Sequence, residues 1–183
     1  MTIMSSEEKP IALKEVQLRL GVPQHVLIHL CEKGVVVPDF AEALGRGKRR
    51  EFSERNLFEF AVALALREFE MPVATAAFVV RLTRSFERAT AKLVPGFALP
   101  GFLVDKGLDL TLRLYDGGLL VFDARGKPIA KPLLLSVALG NGARDPGART
   151  KLEKLDALPA TFEARFELNL SRIARRIARA PLA

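Results

Sequence analysis

One cysteine, Cys31, is all that the chain contains. That excludes an internal disulfide and any zinc site built from cysteines. His25 and His29 are the only histidines, so no structural metal centre is expected. No run of about 18 apolar residues occurs, which argues against a membrane-spanning helix. The opening MTIMSSEEKP lacks the basic-then-apolar layout of a secretion signal. Patterns that carry catalysis are missing as well: there is no glycine loop with a phosphate-binding lysine, no paired-carboxylate signature and no Ser-His-Asp arrangement that His25 or His29 would complete. Asp105, Asp109, Asp116 and Asp123 recur at expected strand ends and turns, where aspartate serves the backbone. The expectation is a cytoplasmic protein that is not an enzyme and uses no cofactor or metal.

What is present is charge, unevenly spread. The 183 residues carry a net charge of +7, with 49% hydrophobic content, enough for one large domain or two small ones. Residues 1–93 hold 14 Lys+Arg against 12 Asp+Glu, a balance of +2, and residues 94–183 a balance of +5. Yet the densest cluster lies in the first half. The stretch GRGKRREFSE sets Arg46, Lys48, Arg49 and Arg50 within five positions, between glycines and a helix start. Charge concentrated on a turn supports neither a core nor a helix, and it points to an anionic partner.

Periodicity divides the chain. Residues 1–9 read as a disordered tail. From Ile11, Leu13, Val16 and Leu20 recur at helical spacing up to Gly21, and Pro23 opens a second helix from Gln24 to Glu32, stopped by Gly34. Val35–Val37 reads as a short strand able to pair with Arg49–Phe52 as a hairpin. Ser53 is a helix cap, with Phe52 and Leu57 at the spacing of a hydrophobic staple. A third helix then runs from Glu54 to about Phe69, and a fourth from Pro72 to about Leu93. Residues 94–101, rich in proline and glycine, read as a linker. Beyond them the period falls to two. Strands are expected over Leu110–Tyr115, Leu119–Phe122, Leu133–Leu139 and Thr161–Leu168, with part-helical character at Lys151–Leu158 and a last amphipathic helix from Leu170 to Ala180. The fold expected is α+β: an N-terminal winged helix-turn-helix with its following helix over residues 10–93, then a small, mainly antiparallel β domain with a C-terminal helix over residues 102–183, serving dimerisation, a ligand or a partner.

Helix, glycine turn, helix, hairpin, helix is an order suited to duplex DNA: the second helix fits a major groove, and a basic hairpin beside it reaches the backbone. The residues that carry it are Lys14–Pro23, Leu27, Glu32–Pro38 and Gly45–Leu57. Over roughly residues 11–82 they resemble the DNA-binding region of the mercury-resistance regulator (MerR) family, whose "LGV…L…E.GL..P" and "R.YS..DL" segments have counterparts at matching spacing. The resemblance implies a dimeric transcription regulator that distorts promoter DNA and pairs with its twin through the helix after the winged domain. Ile28, His29 and Leu30 stand where the family has Arg-Tyr-Tyr, and Phe52 stands where it has a wing tyrosine, which marks a divergent branch.

The DNA-binding candidates are therefore Gln24 and His25, at the start of the second helix, together with His29, Arg46, Lys48, Arg49 and Arg50. The bland alternative for each is ordinary surface polarity, or a buried structural role for His29. Phe78, Leu82, Phe86, Ala89 and Leu93 form an apolar stripe on the fourth helix, either a dimer seam or core. Arg81, Arg84, Arg88 and Lys92 mark another face of it, and Arg172, Arg175, Arg176 and Arg179 line the last helix, either as dipole complements or for a phosphate or acidic partner. Cys31 reads as a small semi-buried residue. The partners expected are double-stranded DNA, a second copy of the chain, and RNA polymerase or another protein. The competing expectation is a winged-helix adaptor for proteins that has lost tight DNA binding.

Overall fold

The computed structural model describes residues 9–40, 50–127, 129–139 and 152–180. A two-residue strand, β1 (Ile11–Ala12), runs into α1 (Leu13–Leu20), and α2 (Gln24–Glu32) follows a turn at Gly21; β2 (Glu51–Phe52), α3 (Glu54–Glu68) and α4 (Val73–Ala91) come next. The start of α3 shows how local chemistry sets a boundary. The Ser53 hydroxyl accepts from the Asn56 N–H at 3.0 Å while the Asn56 side-chain oxygen accepts from the Ser53 N–H at 3.2 Å, a reciprocal capping box. Phe52 and Leu57 bracket that cap and are both buried.

Among the described residues, Val35–Val37 forms no hairpin with the strand before Ser53. β2 pairs antiparallel with β1 instead, Ile11 opposite Phe52 and Ala12 opposite Glu51. The reason lies at the end of α2. Gly34 adopts a left-handed conformation (φ 64) and turns the chain back, so that the N–H groups of Val35 and Val36 both donate to the Leu30 carbonyl, at 2.9 and 3.5 Å. The N–H groups of both valines close the helix and their side chains enter the core, so neither N–H is left for a ladder.

After α5 (Gly101–Asp105) come the strands β3 (Asp109–Tyr115), β4 (Leu119–Arg125), β5 (Leu133–Ala138), β6 (Glu153–Leu155) and β7 (Arg165–Asn169), and then α6 (Leu170–Ala178). They form one antiparallel sheet in the order β6-β5-β4-β3-β7. Asp116 (φ 49) and Gly117 (φ 66) supply the left-handed pair that turns β3 into β4. Leu112, Phe122 and Leu135 lie opposite one another across three strands and are buried on the face toward the helices.

Two expectations change here. The segment before Leu158 contributes an edge strand, β6, rather than a helix. The last strand begins only at Arg165, because the Asp116 carboxylate accepts from the N–H groups of Glu163 and Ala164, at 2.9 and 2.8 Å, and bends the chain ahead of it. Phe162 consequently packs edge-on against Tyr115, away from the face that Phe166 and Leu168 share.

Residues 94–101 are not an open linker. Phe97 and Leu99 are buried, and the Leu99 N–H donates to the Glu87 carboxylate at 2.9 Å. The Phe86 ring on α4 stacks on Phe122 of β4, with centroids 4.7 Å apart and planes 20° from parallel, and meets Phe97 edge-on. α6 packs on α3, α5 and β3. The helices of residues 10–93 and the sheet of residues 102–183 thus share one continuous hydrophobic core.

Candidate nucleic-acid interface

α1 packs on α2, and Val16 of α1 and Leu27 and Leu30 of α2 are all buried. Between them Gly21 takes φ 66, and its N–H and that of Val22 donate to the Gln17 carbonyl at 2.9 and 3.3 Å. A Cβ at Gly21 would touch nothing within 4 Å, so only its backbone conformation demands glycine. Gly21→Ala is expected to cost about 1 kcal/mol in urea denaturation, with the fold otherwise unchanged. Arg19 then fixes α1 to its surroundings. Its guanidinium grips the Glu54 carboxylate with two hydrogen bonds and donates to the Ile177 carbonyl at 3.4 Å.

Against this scaffold α2 turns Gln24, His25, His29 and Glu32 to solvent and leaves Ile28 half-buried. His25 and His29 also border a shallow, mainly apolar hollow of about 230 Å³ with Leu64, Arg67 and Val73. No group of three metal-capable side chains occurs among the described residues. Cys31 is half-buried on the flank of α2.

Of the cationic cluster, Arg46, Lys48 and Arg49 lie outside the described residues, and Arg50 is half-buried just before β2. The chain on both sides of the cluster is held by a polar network that periodicity did not reveal. Asn56 Oδ1 accepts from the Asp39 N–H at 2.8 Å, and Asn56 Nδ2 donates to the Val37 carbonyl at 2.9 Å and to Glu59 at 3.0 Å. The Ser53 hydroxyl donates to the Asp39 carboxylate. Arg84 closes the network from α4, with paired hydrogen bonds to the Glu59 carboxylate, an ion pair to Asp39 at 3.2 Å and a bond to the Val37 carbonyl. Glu59 is only 2% exposed, and burial pushes its carboxyl above the usual carboxylate range even with Arg84 beside it. The sequence signal for this network was the Ser53–Asn56 spacing; the partners from 37–39 and from α4 are distant in the chain.

Of the four cations on that face of α4, Arg84 is thus drawn into the network and only partly exposed, while Arg81, Arg88 and Lys92 are exposed. The apolar stripe on α4 is likewise claimed internally. Phe78, Leu82 and Phe86 are buried in the core of their own chain, Ala89 is half-buried, and Leu93 alone stands out, 63% exposed. The stripe therefore does not offer the dimer seam that its period suggested. Asp123, read as a turn aspartate, is instead buried within β4 between Arg113 and Arg125.

No protein-family model matches the chain, and no curated protein is similar to it. No helix among the described residues is long and apolar enough to cross a membrane.

Proposed function

We propose that the chain is a sequence-specific DNA-binding regulator of transcription, with α2 as the helix that enters the major groove and the 46–50 segment as the arm that meets the phosphate backbone. One observation carries it: α2, set across the Gly21 turn from α1, faces Gln24, His25 and His29 outward, and the chain flanking the cationic cluster is pinned to Asn56 of α3 and Arg84 of α4 by partly buried hydrogen bonds and an ion pair. Pinned ends lower the entropy that a cationic arm loses when it docks. The likeness of residues 11–82 to mercury-resistance regulators supports the same reading. A homodimer, which would set two reading helices on successive half-sites, has to pair through a surface other than the α4 stripe.

Fluorescence anisotropy with a genomic duplex pool at graded salt tests this. Affinity is expected to fall steeply, by about 0.9 log units per log unit of salt for each neutralised phosphate, and Arg49→Ala with Arg50→Ala is expected to flatten that slope. A shallow slope that the double variant leaves unchanged would favour an adaptor for proteins. That second reading has its own support, because α2 itself (QHVLIHLCE) contains no lysine or arginine and presents Glu32 outward.

A further inference from the structure

Along α6, Arg172, Arg176 and Arg179 recur at spacings of four and three and share one exposed face. None of the three guanidiniums has a hydrogen-bond or ion-pair partner among the described residues. Arg175, between them, is different: it turns to the Leu103 and Leu108 carbonyls and to Asp109. The three free arginines rim a groove of about 840 Å³ whose apolar side is built by Phe69, Leu168 and Ile173. Phe69 is 61% exposed, unusual for a ring that already has Phe166 edge-on against it at 5.1 Å. Two carboxylates also border the groove; Glu167 is taken by Arg113, which leaves Glu68 against three cations. Arg176 and Arg179 continue into a second groove of about 370 Å³ that ends at Leu20 and Val22, beside the α1–α2 turn.

We infer that these two neighbouring grooves, which share Glu68, Arg176 and Arg179, are a docking surface for an acidic amphipathic segment of a partner protein. Charge complementarity sets the sign of the occupant, and the apolar wall sets its class. A phosphate backbone would satisfy the arginines but leave Phe69 in water, whereas a peptide with Asp or Glu on one side and Leu or Phe on the other covers both. Exposed aromatic rings ringed by arginine are the composition that protein interfaces enrich. Two grooves with a shared wall suit an extended segment better than a compact ligand. α6 plays no part in the nucleic-acid reading of α2, so either stands without the other.

The probe is a displayed library of random short peptides, selected on the intact protein and counter-tested on two variants, Arg172→Glu with Arg176→Glu, and Phe69→Ser. All three positions are exposed, and circular-dichroism melting verifies the fold of each variant. Selected peptides are expected to be enriched in acidic residues interleaved with Leu or Phe, and to lose about tenfold or more in affinity on each variant. Selection without acidic enrichment, or peptides that bind both variants as well as the parent, overturns the proposal. So does duplex DNA whose affinity drops on Arg172→Glu with Arg176→Glu while no peptide depends on those residues; α6 would then belong to a nucleic-acid surface.

Discussion

Phe86→Ala is expected to destabilise the whole described fold by about 3–5 kcal/mol, the range for emptying a fully buried phenylalanine site. Phe86 has no exposed surface, and its ring touches both Phe97 and Phe122, so the cavity would open where the helices meet the sheet. A loss of that size is a large share of the stability of an ordinary domain, about 5–15 kcal/mol. The molecule offers two separable reporters. Far-ultraviolet circular dichroism follows the helices, and fluorescence of Tyr115, the only tyrosine, follows the sheet. In guanidinium titrations both transitions are expected to coincide in the parent and to shift together in Phe86→Ala. Separate midpoints, with only one of them moved by the substitution, would show that the helices and the sheet unfold as two units.

The second large effect is expected at Arg84. Arg84→Ala would leave the Glu59 carboxylate buried against Asn56 without its cation. Breaking a buried pair on one side costs about 3–5 kcal/mol, and the lower end applies because the Arg84 side chain keeps 32% of its exposure. The cost should depend on pH. Glu59 already has a folded-state pKa above its ordinary value, chiefly through burial, and removing Arg84 takes away the largest influence that opposes burial. A carboxyl raised in this way favours the fold fully below its unfolded pKa, and that contribution is lost as pH rises through its folded value. The deficit of Arg84→Ala is therefore expected to be large at neutral pH and to shrink in acid, where Glu59 takes up a proton. Glu59→Gln should remove this pH-dependent part from the parent, read as the difference between the two urea midpoints across a pH series. A deficit that stays constant from neutral pH into acid would show that Glu59 does not titrate in this range.

Local signals were legible in the sequence and long-range ones were not. The bounds of α2, the Ser53 cap, the staple of Phe52 and Leu57, and the Asp116-Gly117 turn follow from residues within a few positions of one another. The α4 stripe was equally visible, but a period says that a face is apolar and not what covers it; Phe97 and Phe122 cover its central ring, Phe86. Val35–Val37 has the composition of a strand, yet the hydrogen bonds of its first two residues were already committed to the end of α2. Asn56, Glu59 and Arg84 each look ordinary alone. Their role exists only because the fold brings 37–39 and α4 to the same end of α3. Of the candidate interface, Gln24, His25 and His29 are exposed, while Arg46, Lys48 and Arg49 lie outside the described residues.

The central claim is that α2 reads base edges while the cationic arm holds the backbone. Selection of duplexes from a random library by the parent and by a Gln24→Ala, His25→Ala variant tests it most directly. The account predicts that the parent enriches a defined sequence, and that the variant relaxes or shifts the preference at adjacent positions while its salt dependence stays that of the parent. Enrichment of no sequence by the parent, or of the same sequence by both proteins, would contradict it.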